Sequence, residues 1–245
     1  MRPEELEDAF HHSKVLRQAF PDKHLRISVV LGLGGDRATG DAQEALASSQ
    51  LPNPTGQSAY GGLVDFLDLS WRFHDRVIVG GEFFSRRLNS NIYGDNYDVE
   101  QSMNYNYDIS FMEQRIYAEY AFFHVDRYFT RRSEVLAGAG LLMGMPNVSM
   151  NYYYSDYSDL DNVIYEDKNY TQEDNLFGFQ LRGSFHYYFF PGLSLWTGLE
   201  ANLYKPWIVE STEFPTSDPA APVHLQEHTL SFTGIRLKFG VSIYL

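Results

Sequence analysis

The residue types most capable of chemistry in this chain are histidines and a serine near its C-terminus. His224 and His228 are four residues apart, with the acid Glu227 and the hydroxyl of Ser231 beside them. On a helix this histidine spacing could hold a metal ion, and histidine, serine and acid together could form a nucleophilic site. However, the stretch follows the loop-like residues 215–223 and leads into a strand-like pattern. We therefore expect surface histidines, with no catalytic residue, cofactor or metal ion.

A second set of reactive groups alternates with apolar residues along extended segments. Four acids and six bases share the polar faces of these segments, where many of their neighbours are glycine. If the polar faces turn inward, the charges must pair with one another, because an isolated buried charge is very costly. We predict an ion-pair plug formed by Asp68, Arg72, Glu82, Arg86, Arg115, Glu119, Arg182, Glu200, Arg236 and Lys238.

Eight long segments of alternating apolar and polar residues carry this charged set. The connections between them are alternately long and short, which is typical of an up-and-down antiparallel barrel with loops at one end and turns at the other. Both chain termini would then lie at the turn end. The segments span approximately 25–35, 58–74, 76–92, 105–123, 133–154, 175–190, 193–211 and 225–245.

Two kinds of eight-stranded barrel fit this alternation. A lipocalin-like soluble barrel is apolar inside, whereas an outer-membrane barrel is apolar outside and polar inside. Long strands favour the membrane barrel, as do aromatic residues near the turns, such as Trp71, Phe73 and Phe189, and the end of the chain on an alternating strand. We therefore predict an all-β, eight-stranded transmembrane barrel with long extracellular loops and short periplasmic turns.

The last strand, GIRLKFGVSIYL at 234–245, resembles the C-terminal strand of outer-membrane barrels, which their assembly machinery reads. The layout of residues 25–245 is similar to the small eight-stranded barrels of the OmpA transmembrane domain and OmpX type of Gram-negative bacteria. This resemblance implies an integral outer-membrane protein, with 1–24 as an N-terminal periplasmic segment that is a short helix or a loosely docked tail. The implied assembly signal consists of Phe239, Gly240, Val241, Ile243 and Leu245.

Three residues or segments depart from that pattern. The chain ends on Leu245, where these barrels usually have phenylalanine. Asp65 falls on the apolar face of its strand and should lie above the bilayer or beside a bulge. The two halves of the fourth segment are out of phase, which predicts a bulge near Met112–Gln114.

Composition excludes several classes of protein. The net charge of −13 argues against nucleic-acid binding, and the absence of cysteine excludes disulfides and thiolate metal sites. Mean hydropathy is −0.34, with no apolar run long enough for a membrane helix. The first 20 residues are charged and do not form a signal peptide, so we expect the numbering to begin at or near a mature N-terminus.

The candidate extracellular binding loop is 151–175, which has seven acids, one lysine and six tyrosines. Tyrosines with acids and amides could dock a protein or a glycan, with calcium bridging carboxylates to lipopolysaccharide; a solvated acidic rim explains the same composition equally well. The candidate contact residues are Tyr152, Tyr153, Tyr154, Asp156, Tyr157, Asp159, Asp161, Tyr165, Glu166 and Asp167.

These patterns predict a non-enzymatic outer-membrane barrel that anchors loops for binding, for adhesion or as an accessory subunit of an outer-membrane assembly. Its expected partners are outer-membrane lipids and lipopolysaccharide, and another outer-membrane or surface protein. Two alternatives stay open: an outer-membrane enzyme acting on lipid A or peptides at the loop rim, and a narrow channel.

Overall fold

The computed structural model describes residues 25–49, 51, 55–57, 63–74, 76–97, 101–125, 132–158, 164–190, 192–214 and 222–245. The proposed N-terminal segment 1–24 therefore lies outside the described residues. The described part has one helix, α1 (Ala38–Ser48), and fourteen strands. The strands are β1 (Leu25–Asp36), β2 (Thr55–Gln57), β3 (Leu63–His74), β4 (Val77–Tyr97), β5 (Gln101–Val125), β6 (Arg132–Asp156), β7 (Ile164–Glu173), β8 (Leu176–Phe190), β9 (Leu193–Tyr204), β10 (Trp207–Val209), β11 (Thr212–Phe214), β12 (Val223–Leu225), β13 (His228–Leu230) and β14 (Gly234–Tyr244).

Eight of these strands form a closed antiparallel ring, so the predicted fold class is confirmed. The ring runs β1–β3–β4–β5–β6–β8–β9–β14 and closes where β14 pairs with β1, with Ser28 opposite Ser242. Closure gives every wall strand a hydrogen-bonded neighbour on both sides and removes the exposed sheet edges. No described helix has the length and apolar content needed to cross a membrane.

The predicted segments match the ring strands, with two corrections at the loop end. The seventh segment stops at Tyr204 and the eighth begins at Gly234 instead of extending to residue 211 and back to 225. The residues between them form one hairpin, in which β10 pairs with β13 near the base and β11 pairs with β12 beyond it, in the same register. Alternation continues through these short strands because they also bury one face, so the sequence pattern could not separate them from the barrel strands.

The helix α1 lies in a stretch that the sequence analysis assigned to a loop. Its buried residues are Ala38, Thr39, Ala42, Ala45 and Leu46, which share one side of the helix at spacings of three and four residues. Gly40 lies within its first turn and lowers its intrinsic helix propensity. Tertiary packing of the apolar stripe therefore stabilises a helix that local propensity does not predict.

The barrel is apolar on the outside and polar on the inside. Large apolar side chains that point away from the barrel are strongly exposed, including Phe177 at 74% and Ile116 at 67%. The alternate side chains on the same strands are buried and polar, such as Glu119, Gln180 and Lys238. Water would penalise such an apolar exterior, whereas lipid matches it, so the wall is built to cross a membrane.

The strands β4, β5 and β6 have 21, 25 and 25 residues, well beyond the roughly 9–11 that cross a bilayer. In their upper parts the pattern reverses, and apolar residues such as Tyr107, Phe111 and Val148 point inward. These residues form a buried apolar core above the charged interior, covered by α1 and the hairpin of β10 to β13. We call this unit the cap; its core includes Leu46, Ile92, Tyr107, Phe111, Leu142, Val148, Tyr152, Tyr204, Trp207, Phe214, Leu225 and Phe232.

The predicted bulge near Met112–Gln114 is wrong. From Tyr105 to Ala121, β5 buries every second residue without interruption. The two halves differ in phase because the apolar residues face outward to lipid in the lower half and inward to the cap core in the upper half. The register irregularity instead lies in the neighbouring strand β4, between Glu82 and Arg86. The expectation for Asp65 is confirmed, because a register irregularity lies directly beside it between β1 and β3.

Candidate functional site

The centre of the barrel interior holds two cations and two carboxylates from four different strands. Arg115 Nη1 lies 2.6 Å from Glu82 and 2.7 Å from Glu200. Lys238 Nζ lies 2.5 Å from Glu82 and 3.0 Å from Glu200. All four side chains are almost completely buried, so each charge depends on at least two partners of opposite sign to offset its desolvation.

Closer to the turn end, a second cluster surrounds the ring of Tyr117. The Arg182 guanidinium lies 3.7 Å from the centroid of this ring, and its Nε is 2.8 Å from Glu119. Arg26 donates to the Tyr117 hydroxyl at 2.9 Å, and that hydroxyl donates to Asp68. Arg182 also reaches Glu82 at 2.9 Å, which joins the two clusters into one network.

Two further carboxylates bracket this network. Towards the cap, Glu113 accepts from Tyr204 at 2.8 Å and lies 3.3 Å from Arg236. At the turn end, Arg72 donates two hydrogen bonds to Glu134, at 3.0 and 2.7 Å. The interior is therefore ion-paired along its length in the part of the barrel that the structure describes.

The described interior network contains equal numbers of acids and bases. Of the ten residues predicted for the plug, nine have described side chains, and these point into the interior; the Arg86 side chain lies outside the described residues. Sequence reasoning missed Arg26, Glu113 and Glu134, although each has the inward parity of its strand. The six acids are Asp68, Glu82, Glu113, Glu119, Glu134 and Glu200, and the six bases are Arg26, Arg72, Arg115, Arg182, Arg236 and Lys238.

In the cap, His228 joins the hairpin of β10 to β13 to the barrel wall. Its Nδ1 donates to the Gln226 carbonyl at 2.9 Å, and its Nε2 accepts from the Tyr107 hydroxyl at 2.9 Å. Burial lowers the pKa of His228, and the Gln226 carbonyl and the charge of Asp41 offset this only in part. Burial likewise raises the pKa of Tyr107. A neutral histidine and a neutral tyrosine therefore satisfy each other.

The other residues considered for chemistry are dispersed. His224 is exposed on β12, 3.5 Å from Glu213, whereas His228 lies on the separate strand β13. The Ser231 backbone amide donates to the Asp41 carboxylate at 2.9 Å, which ties this segment to α1. Across the described ranges, no group of three or more His, Asp or Glu side chains is arranged to hold a metal ion.

The predicted binding loop 151–175 is largely a hairpin extension, in which β7 pairs with the upper part of β6. Tyr152 and Tyr154 point into the cap core and Asp156 is buried, so these three residues are not part of a contact surface, contrary to the sequence analysis. Burial raises the pKa of Tyr152 to about 12. Tyr153, Tyr157, Tyr165 and Asp167 are exposed and Glu166 is half-buried, while Asp159 and Asp161 lie outside the described residues.

The outer face of β5, β6 and β7 above the membrane is a polar array that the sequence analysis missed. Residues in register across the three strands form five rows of three. We call this array the polar face; every member is half-buried or exposed, and its signal was the alternate polar positions of these segments. The rows are Ser102–Ser155–Tyr165, Asn104–Tyr153–Asp167, Asn106–Asn151–Asn169, Asp108–Ser149–Thr171 and Ser110–Asn147–Glu173.

The predicted assembly signal occupies β14, where the ring closes. Phe239, Val241, Ile243 and Leu245 all point outward and are exposed. Gly240 points inward, where the Trp196 indole leaves no room for a Cβ atom. The backbone of Leu245 pairs with that of the first described residue, Leu25, so the last residue helps to close the ring.

No family model matches the sequence, and no curated protein matches it. Among solved structures, the N-terminal β-barrel domain of Pseudomonas aeruginosa OprF aligns with 90% of this chain and 97% of its own, at 12% identity and a TM-score of 0.32. Ail, the attachment invasion locus protein of Yersinia pestis, aligns over 92% and 98%, at 10% identity and a TM-score of 0.34. OmpT, an outer membrane protein of Vibrio cholerae, aligns over 88% and 76%, at 9% identity and a TM-score of 0.17.

Identities and TM-scores at this level assign no function, so the identification depends on the geometry of the chain. A closed ring of eight antiparallel strands has an apolar exterior, an ion-paired interior, turns at one end and long connections at the other. Only a closed barrel satisfies every backbone group of a strand within lipid, and this inside-out arrangement is that of outer-membrane barrels. The chain is an integral eight-stranded β-barrel of the bacterial outer membrane.

Proposed function

We propose that this barrel is a non-enzymatic anchor that presents its cap for binding, either in adhesion or as an accessory subunit of an outer-membrane assembly. The observation that carries the proposal is the cap itself. It has its own apolar core above the membrane, and it displays a regular polar face on three long strands. A surface built on paired strands is held more rigidly than a free loop, which favours specific binding.

Side-chain bonds hold the cap together where β7 passes the hairpin segment 207–214. The Gln172 side chain donates to the Ile208 carbonyl at 2.9 Å and accepts from the Glu210 amide at 2.9 Å. Lys168 donates to the Glu213 carbonyl, and its ammonium lies 5.5 Å from the centroid of the Phe214 ring. These contacts support a preformed surface whose binding needs little ordering.

Two observations weigh against the alternatives. Both ring nitrogens of His228 are engaged within the cap, which does not favour a role as a catalytic base at the loop rim. The barrel interior is filled by paired charges, and stacked Phe111 and Phe232 lie above them with ring centroids 4.2 Å apart. This arrangement does not favour a narrow channel.

The test is the mass of the intact particle extracted from its native outer membrane in mild detergent. We expect the 28.2 kDa chain to be held with a stoichiometric partner, or to bind a surface ligand when alone. Replacing exposed Tyr153 and Asp167 together with alanine should release that partner, whereas the exposed pair Lys205 and Glu227 serves as a matched control. A lone barrel with hydrolase activity that His228→Ala abolishes would contradict the proposal.

A further inference from the structure

The polar face begins where the apolar exterior of the same strands ends. Met112 and Met145 face each other on β5 and β6 and form the last apolar pair, and Ser110 and Asn147 follow directly above. Rows on one face are about 6.7 Å apart along a strand, and a tilt of about 40° reduces this to about 5 Å of height. The Asn106–Asn151–Asn169 row therefore lies about 15 Å above the apolar boundary.

At this height the polar face lies beside the chemical groups that extend outward from the lipid headgroups. In the outer leaflet of such a membrane, the molecules already in contact with the exterior of the barrel are glycolipids, whose sugars project past the headgroups. The polar face continues the lipid-facing surface upward on β5 and β6 without a change of strand. Any sugar chain attached to a neighbouring lipid must pass along it.

The chemistry of the face suits uncharged sugars. Its 15 residues comprise five Asn, four Ser, two Tyr, two Asp, one Thr and one Glu. Amides, hydroxyls and carboxylates donate to and accept from sugar hydroxyl groups, which act as both donors and acceptors. The face carries no Lys or Arg, so it is poorly suited to phosphates, and it carries no aliphatic anchor of the kind that centres a protein interface.

Much of this hydrogen-bonding capacity is unused by the protein. Asn106 donates to Asp108 at 3.1 Å, and Asn147 donates to Glu173. Within the described part of the chain, the side chains of Asn104, Asn151 and Asn169 have no hydrogen-bond partner. These amides are in or next to the middle row, where they remain available for a ligand.

Tyr153 supplies an aromatic surface at the centre of the array. It lies between Asn104 and Asp167 in its row and is 46% exposed. A tyrosine ring has an apolar face that can lie against the C–H groups of a sugar ring, and it loses little conformational entropy on binding. The amides and carboxylates around it can bond the hydroxyl groups at the sugar edge.

We infer that the polar face binds the uncharged sugar chain of the outer-leaflet glycolipids that surround the barrel. This inference deepens the proposed function and depends on it, because it names the ligand of the cap surface. The partner is a membrane neighbour, so weak contacts repeated along several rows can act together at high local concentration. The face would fix a layer of sugar around the tall side of the barrel.

The experiment uses the full chain in nanodiscs that contain equal amounts of two lipopolysaccharides with the same acyl chains. One carries its complete sugar chain and the other is trimmed to the lipid-proximal sugars. Native mass spectrometry then measures which glycolipid remains bound to the released barrel. We expect the complete form to be retained at least fivefold over the trimmed form.

Two substitutions on the polar face test the site. Tyr153→Ala and Asn151→Ala should each reduce this preference to less than twofold, while Asn175→Ala, outside the rows, should preserve it. Unchanged heat-resistant migration on gels shows that each variant is folded. Equal retention of the two glycolipids by the unmodified protein, or a preference that survives both substitutions together, would overturn the inference.

Binding of lipid-free sugar chains distinguishes sugar held by neighbouring lipids from free sugar, and the search for a protein partner distinguishes this inference from the proposed function. Lipid-free sugar chains should bind at least tenfold more weakly than the membrane-held form; equal or tighter binding of the free chain would overturn the assignment to neighbouring lipids. If retention is equal but a stoichiometric protein partner co-purifies, the sugar inference fails and the proposed function stands. If neither ligand nor partner is found, both fail.

Discussion

At the scale of single residues, the interior of the barrel depends on a balance between buried acids and bases. Glu82 and Glu200 share the cations of Arg115 and Lys238 in a space almost closed to water. A buried pair contributes little net stability, because its attraction is largely offset by desolvation, but a buried charge without its partner is strongly destabilising. The network therefore contributes more to specifying which strands come together than to the stability of the barrel.

Replacing Lys238 with methionine should destabilise the barrel by about 3–5 kcal/mol, because Glu82 and Glu200 keep their charges and lose one cation. Adding Glu200→Gln should restore part of that loss, since it removes one of the stranded charges. Urea unfolding in lipid vesicles measures both changes, with the exposed Lys205→Met as the control. A double variant less stable than the single variant would contradict this account.

The cap should loosen as the pH falls. Burial holds the pKa of His228 below its usual 6.5, so the folded chain binds this proton more weakly than the unfolded chain. The stability that the neutral ring contributes is therefore present above about pH 6.5 and is lost as the pH drops towards the folded pKa. Amide exchange at Val209 and Thr229, corrected for intrinsic rates, should become faster over that range.

Two histidine substitutions in the same loop, one for the test and one as its control, examine this pH effect. His228→Gln should remove the pH dependence of exchange in β10 and β13, and His224→Gln should leave it in place. Protection that increases on acidification, or that follows His224 instead, would show that the Tyr107–His228 bond does not control this hairpin.

At the scale of elements, β5 serves two environments with one unbroken alternation. Below Glu113 its outward residues face lipid and its inward residues include the charged Arg115 and Glu119; above Met112 its inward residues are apolar and its outward residues belong to the polar face. Because the side-chain period of a strand is two, the face that must be apolar can change sides only by a change of residue type along the chain. The residues at which the apolar face of β5 changes sides therefore mark the membrane boundary.

Arginine scanning on the outer side of β5 should locate that boundary. Ile116→Arg places a cation against lipid and should cost about 2–4 kcal/mol, whereas Asn104→Arg on the same side of the same strand should change stability by less than about 0.5 kcal/mol. Unfolding in lipid vesicles gives both values. Similar losses at the two positions would place Asn104 inside the bilayer and remove the polar face from the sugar layer.

At the scale of the whole molecule, the wall is tall on one side and low on the other. The extensions of β4, β5, β6 and β7 rise above the membrane, and α1 with the hairpin of β10 to β13 folds over from the low side. The enclosed apolar core then closes the outer end above the ion-paired interior. Among the described residues, the two layers differ in chemistry, with apolar side chains at the outer end and paired charges below them.

Planar-bilayer recordings should therefore show no stepwise conductance from the unmodified protein. Phe232→Ala, which opens a cavity in the cap core, should also remain silent because the charged interior below it stays filled. Arg182→Ala, which removes an interior charge, is the variant whose conductance is compared with that of Phe232→Ala and of the unmodified protein. Regular conductance steps from the unmodified protein would restore the channel alternative.

The main strands, their order and the choice of inside and outside could be predicted from the sequence, because each strand meets lipid on one side and paired charges on the other over many residues. Most of the plug, from Asp68 to Lys238, could be predicted in the same way, since parity is a local property. What covers the outer end became visible only in the folded chain. The core that buries Tyr152 and Tyr154, and the rows that align Asn106, Asn151 and Asn169, depend on register between strands distant in sequence, and no local pattern records that register.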